Sequence, residues 1–271
     1  MADLALPEPT VPRKPFSSFK VISYDIYGTL IDWEFGVAKG LQPLVTRIPQ
    51  DSPAAIYRDS RLALAAKYNE IEALLQTEQP SLLYNSLLEQ AYLRLATQFS
   101  IPVDDTIRSE ATVFGSSIGS WPAFPDTVSA CQRLVRAGYK LIPVSNVDRE
   151  SFSHTQAGPL AGVDFFKVYT AQDIGSYKPD LRNFEYLLNQ AKIDAGVEKD
   201  EILHVAQSLF HDHIPAKKVG LSSVWIARKG AGMGNVDGVK EVHDRGEVGY
   251  GWRFATLGEF ADEVEKERGA L

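Results

Sequence analysis

The chain has 271 residues, 44% of them apolar and 23% charged, which is length and apolar content enough for a large soluble core with an inserted unit. A formal net charge of -7 leaves no basic excess, so neither nucleic acid nor an anionic membrane surface is expected as a partner. A single cysteine, Cys131, rules out an intrachain disulfide and suits a reducing compartment.

In chain order, the start "MADLALPEPTVPRKPF" is too rich in proline for a signal peptide, and no run approaches the roughly 18 apolar residues of a membrane span. The expectation is a cytoplasmic protein with an extended arm over residues 1–17. The first β-type run is "FKVISYD" (19–25). Then "AAIYRDSRLALAAKYNEIEALLQ", "SLLYNSLLEQAYLRLATQF" and "DDTIRSEATVFGSSIG" carry apolar residues at helical spacing. They read as a helical cap over residues 36–119, inserted after the first strand. "SWPAFPD" punctuates the return to the sheet domain, which takes residues 18–35 and 120–271.

Beyond that boundary, "TVSACQRLVRAG" reads as an amphipathic helix that buries Cys131 as a small apolar side chain. The β-type runs "YKLIPVS" (139–145), "FFKVYTA" (165–171), "EILHVAQ" (201–207) and "SSVWIAR", ending at Arg228, alternate with helix-like "SFSHTQAG", "LRNFEYLLNQAK" and "IPAKKVG". Strands alternating with helices predict an α/β fold, a doubly wound parallel sheet covered on both faces. Pro143 removes a ladder donor from the second run, near its C-terminal end. The Gly-rich "RKGAGMGNVDGVKEVHDRGEVGYG" follows the last of these runs and opens no apolar helix, so it reads as a surface loop rather than a dinucleotide site. A strand–helix pair, "WRFATLGEFADEVEKE", closes the chain.

In a parallel sheet, ligands bind at the C-terminal ends of the strands. Those ends carry Asp25, then Ser145 and Asn146, then Lys178 shortly past the third run, then Gln207 and Ser208 with Asp212. A lone carboxylate at a strand end is commonly a helix cap. Polar residues at four aligned ends define a site.

The stretches "DIYGTL", "VSN", "SYKPD" and "SLFHD", in that order, resemble the four motifs of the haloacid dehalogenase superfamily of aspartate-nucleophile hydrolases. The D-x-Y-G-T-L form is similar to the type II 2-haloacid dehalogenases. The resemblance covers the sheet domain and implies a Rossmann-like core carrying the helical cap. It implies that Asp25 attacks an electrophilic carbon or phosphorus and forms an ester, which splits one hard displacement into two easier steps. Thr29 and Ser145 then hydrogen-bond the carboxylate or a bound anion, and backbone amides after Asp25 add to the anion cradle. Lys178 keeps Asp25 ionised and partly balances an anionic substrate. Asn146 donates to the leaving group, Asp212 orients or deprotonates the hydrolytic water, and Tyr27 and Ser208 line the substrate. In the dehalogenases a cap arginine binds the departing halide. Counting from the nucleophile makes Arg58 the candidate and Arg61 the second choice. The resemblance also carries the expectation of a homodimer.

Phosphatases of the superfamily have an Asp two residues after the nucleophile, which protonates the leaving oxygen, and an acid in the fourth motif for Mg2+. Tyr27 and Gln207 stand at those positions here. The expectation is therefore a metal-independent hydrolase, with no cofactor, acting on a small organic acid whose leaving group departs without a proton. The alternatives are a Mg2+-dependent phosphatase of the same superfamily, or a catalytically weak binding or regulatory protein. Phe184 in place of the dehalogenases' Tyr, together with Gln207–Ser208 in place of their fourth motif, motivates the latter. Three histidines lie near Asp212. His204 reads as packed in the sheet and His211 or His213 as a cap or site wall, rather than as zinc ligands. Trp33 and Trp121 flank the hinge, either as pocket wall or as packing.

Overall fold

The computed structural model describes residues 4–228 and 236–269. Six strands, β1 (Val21–Tyr24), β2 (Lys140–Ser145), β3 (Tyr169–Thr170), β4 (Ile202–Ala206), β5 (Ser222–Ile226) and β6 (Trp252–Phe254), form one sheet in the order β3-β2-β1-β4-β5-β6. Every neighbouring pair is parallel. The order reverses at β1, the switch point where crossover connections run to opposite sides and leave a crevice.

Both faces of the sheet are covered, which is why its central strands are apolar without alternation. On one face Ile22, Leu141 and Leu203 pack with Leu134 and Phe260, from the helices Thr127–Arg136 and Leu257–Gly269. On the other, Val21, Ile142 and Ile202 pack with Phe184 and Leu187 of the helix Arg182–Ala195. Cys131 is fully buried in the first layer, and burial pushes its thiol up to about 12, as expected of an inert core side chain.

Pro143 is tolerated within β2 for a local reason. Leu141, two residues earlier and so facing the same neighbour, accepts from Phe166 N outside any strand, and β3 pairs only from Val144 onward. No ladder bond is lost there. The third strand itself is two residues long rather than the seven expected, because Thr170 caps the helix Ala171–Ile174 and ends the extended run. The Gly230–Gly234 stretch lies outside the described residues. Beyond it, the expected surface loop is instead the helix Val236–Asp244, whose Val239 and Val242 pack against the cluster of Trp225 and Tyr250.

Between β1 and β2 the chain is helical. Arg61–Glu78 and Tyr84–Gln98 are the long helices, joined by Asp105–Gly115 and by short ones including Trp33–Gly40 and Ala55–Asp59. Leu64, Tyr68, Ile71 and Leu75 bury one face of Arg61–Glu78. The single helix expected over residues 54–76 breaks at Ser60, whose extended backbone and hydroxyl, accepting from Ala63 N at 3.2 Å, cap the second segment. Close packing seats this layer beside the hinge: a Cβ on Gly36 would lie 2.3 Å from the Trp121 ring. The N-terminal arm lies against the sheet domain, with Thr10 N donating to Gly249 O at 2.9 Å and Phe16 packed 5.0 Å from Trp252. Among the described residues no helix is long and apolar enough to cross a membrane.

Candidate active site

Asp25 directly follows β1, and its backbone N donates to Val205 O at 3.2 Å, so the sheet itself holds it in place. The chain then turns sharply at Gly28, which has φ 101°, a backbone that a Cβ would strain. The turn brings Thr29 back onto the carboxylate: its Oγ1 donates to Asp25 Oδ2 at 2.8 Å and accepts from Gln207 N at 2.9 Å. Arg228, at the end of β5, fastens the same turn from outside. Its Nε donates to Thr29 O at 2.8 Å, and its guanidinium grips Asp126 at 2.8 and 3.1 Å while lying 4.1 Å over the Phe124 ring.

Lys178 is 1% exposed and bridges two carboxylates, donating to Asp25 Oδ1 at 2.9 Å and to Asp212 Oδ1 at 2.7 Å. Asn146 positions it by clasping its backbone from both sides, accepting from Lys178 N at 2.7 Å and donating to Lys178 O at 3.0 Å. Asp212 comes from a π-helical turn, Leu209–His213, that follows the Ser208 cap. The wide turn takes up the altered spacing of the fourth motif and aims Asp212 inward. His204 Nε2 lies 3.0 Å from the same Asp212 oxygen, and its Nδ1 lies 3.1 Å from Ser23 Oγ. A proton on Nε2 serves the carboxylate and leaves Nδ1 to accept from Ser23. The Phe184 ring packs edge-on against His204 at 5.2 Å.

Burial pushes the Asp25 carboxyl above its ordinary value; Lys178 and Thr29 oppose this, and Asp212 adds to it. Burial acts the same way on Asp212, but Lys178 and His204 reverse it and hold that carboxyl well below the usual range. Burial works against the Lys178 charge, yet the two carboxylates keep its ammonium above the ordinary lysine value. Of the two acids, Asp212 takes the larger share of Lys178, and Asp25 is the more basic.

These groups open into a cavity of about 60 Å3, enough for a few waters. Its core wall carries Asp25, Ser145, Asn146, Lys178 and Asp212; Tyr27, Gln207, Ser208 and His211 also line it. Thr29 stands behind Asp25. The Ser145 hydroxyl and Asp212 Oδ2 are buried with no hydrogen-bond partner among the described residues, so both remain available to a ligand. Tyr27 presents its ring, its hydroxyl being bonded to Thr155 at 2.8 Å. Ser208 is engaged locally by His211 N at 3.0 Å. Asn146, expected at the leaving group, instead spends bonds on the lysine backbone.

Arg58 is not brought to the cavity. Its guanidinium reaches Ile48 O at 3.4 Å and Asp59 at 3.8 Å, because the break at Ser60 turns the short helix Ala55–Asp59 away from the site. Arg61 is also elsewhere, 3.9 Å from Asp32 and over the Phe35 ring. The opposite wall comes from the helical segment between β1 and β2: Glu72 and Gln76, one turn apart on Arg61–Glu78, with Tyr84 and Trp33. Trp33 is thus a wall residue, and Trp121 packs edge-on to Tyr27 at 5.9 Å. His213 bonds Ser223 and Ala206 O, and among the described residues no three His, Cys, Asp or Glu side chains are grouped to hold a metal. Glu72, His204 and Arg228 were not singled out for the site from the sequence. Only Arg228, a cation ending an apolar strand, offered a signal there.

The model of the haloacid dehalogenase-like hydrolase family matches residues 19–220, and the chain belongs to that family of hydrolases. Among solved structures, the L-2-haloacid dehalogenase PA0810 superposes with a TM-score of 0.66 at 20% identity, over 92% of this chain and 99% of that one. The L-2-haloacid dehalogenase from Xanthobacter autotrophicus with chloropropionic acid covalently bound gives 0.67 at 16% identity, over 91% and 98%. The HAD-hydrolase YfnB from Bacillus subtilis, bound to magnesium, gives 0.62 at 16% identity, over 91% and 98%. At these identities the likeness is one of fold. No curated protein matches the chain in sequence.

Proposed function

We propose that the chain is a metal-independent hydrolase that displaces a leaving group from a small 2-substituted organic acid, of the 2-haloacid type, through an aspartyl ester on Asp25. The observation that carries this is the Lys178 ammonium set between Asp25 and Asp212 at 2.9 and 2.7 Å, on the wall of a cavity that all three line. In the first step an Asp25 oxygen attacks the substituted carbon while Lys178 and Thr29 hold the carboxylate in line. The unpartnered Ser145 hydroxyl is the natural donor to the substrate's own carboxylate. In the second step a water held by Asp212 Oδ2 adds to the ester carbonyl, and the hydroxy acid leaves.

The donor set does not fit a divalent cation bridging Asp25 and Asp212. The ammonium already neutralises both, and Tyr27 and Gln207 stand where additional acids would be needed.

Single-turnover reaction with 2-bromopropionate in heavy-oxygen water tests the reading. One heavy oxygen is expected in the Asp25 peptide by mass spectrometry, and turnover is expected to vanish in Asp25→Asn with the fold retained. An unlabelled Asp25 peptide after product formation, or an active Asp25→Asn enzyme, rejects the ester intermediate. A strict requirement for added Mg2+ rejects the metal-free mechanism.

A further inference from the structure

The cap wall offers a carboxyl where the family resemblance implies an arginine. In a displacement at carbon, the leaving atom departs on the side opposite the nucleophile. Asp25 attacks from the core wall, so the leaving atom faces the cap, where the residues with hydrogen-bonding side chains are Trp33, Glu72, Gln76 and Tyr84, and Glu72 alone carries a carboxyl. The Tyr84 hydroxyl donates to Glu72 Oε1 at 2.6 Å, and the Tyr84 ring stacks on Tyr27, two residues from the nucleophile, at 6.3 Å. Glu72 Oε2 has no partner among the described residues. Lys178, already bonded to two carboxylates, is the lone lysine or arginine among the described lining residues.

We propose that Glu72 is the acid that serves the leaving group, and that the site takes small 2-substituted acids whose leaving atom is a strong hydrogen-bond acceptor, fluoride foremost. This rests on Asp25 being the nucleophile. Bromide and iodide depart unaided, whereas fluoride and oxygen leaving groups hold their charge tightly and leave with a proton or a strong hydrogen bond. As the Asp25 oxygen bonds to carbon, the carbon–fluorine bond breaks with its electron pair on fluorine, and the Glu72 proton passes to it. Water then adds to the ester carbonyl with its proton passing to Asp212 and on to the departing alkoxide, and solvent reprotonates Glu72. The half-buried side chain suits the task, because burial pushes its carboxyl up to about 7 against the opposing Tyr84 bond. The titratable groups facing it are Tyr68 on its own helix, Tyr84 and Tyr177, and across the cavity Asp25, Lys178, His211 and Asp212.

The test is the single-turnover rate of Asp25 ester formation from 2-fluoropropionate and 2-bromopropionate, read by intact-protein mass. In Glu72→Gln the fluoride-to-bromide rate ratio is expected to fall by about 10²–10⁴-fold, and the decline of the fluoride rate above pH ~7 should disappear. Glu72→Asp, which keeps the acid on a shorter arm, should recover part of the ratio and restore the alkaline decline. A ratio insensitive to Glu72 while wild type forms the ester overturns this inference alone. Failure of wild type to form an ester from either acid overturns the halo-acid reading and this inference with it.

Discussion

Lys178 is a single ammonium between two buried carboxylates, and Asn146 holds its backbone on both sides, so little slack exists for it to move. Replacing it with Met leaves both acids buried without their cation, a change that costs about 3–5 kcal/mol where measured in comparable buried pairs. Both carboxyls would then titrate above their unfolded values, so stability is retained below about pH 4 and lost as pH rises. Urea melts at pH 5 and pH 8 check this: Lys178→Met should lose more stability relative to wild type at pH 8, and equal losses refute the charge argument. The same residue-scale logic sets the wild-type activity profile. On the proposed mechanism, turnover of a fluoro-acid needs Asp25 ionised and Glu72 protonated. Its acid limb therefore lies above the ordinary aspartate range, and its alkaline limb falls near pH 7, where Glu72 titrates.

At the scale of elements, the turn after β1 is held from two sides, by β4 through Gln207 and by β5 through Arg228. Arg228→Met should remove about 2 kcal/mol of stability, since both the Thr29 carbonyl and Asp126 lose a charged donor. It should also lower kcat more than it raises KM, because Thr29 bonds Asp25, the proposed nucleophile, rather than lining the cavity. Urea melts and steady-state kinetics check this, and full activity with lowered stability breaks the proposed link to Thr29. The same elements explain what could be read in advance. Asp25, Ser145 and Lys178 stand at or just beyond apolar runs, and in a parallel sheet such positions converge whatever the helices do. β3 was overestimated because "FFKVYTA" is apolar throughout, while only pairing with β2 decides which of its residues are strand. Arg58 was misplaced because a count from the nucleophile gives distance along the chain, not which way a helix faces after a break at Ser60. Glu72 and His204 lie inside an ordinary helix and an ordinary strand, and only their neighbours across the fold, Tyr84 and Asp212, make them more than surface acid and core imidazole.

At the scale of the whole molecule, core and cap are tied together close to the cavity. Tyr84 N donates to Asp148 Oδ2 at 3.1 Å and Tyr177 OH to Leu82 O at 2.5 Å. The two walls are thus held at a set separation, with Asp25 on one and Glu72 on the other, and the proposed mechanism divides its two roles between them. That division has a stereochemical consequence. A substrate carbon lying between the walls is struck once, from the core side, and the water of the second step adds to the Asp25 carbonyl rather than to that carbon. The asymmetric centre is therefore turned over a single time. A single enantiomer of a 2-halo acid should yield the hydroxy acid of the opposite hand. Chiral chromatography of the product from one pure enantiomer reads this directly, and retained or scrambled configuration would mean that the two walls do not act on the substrate together.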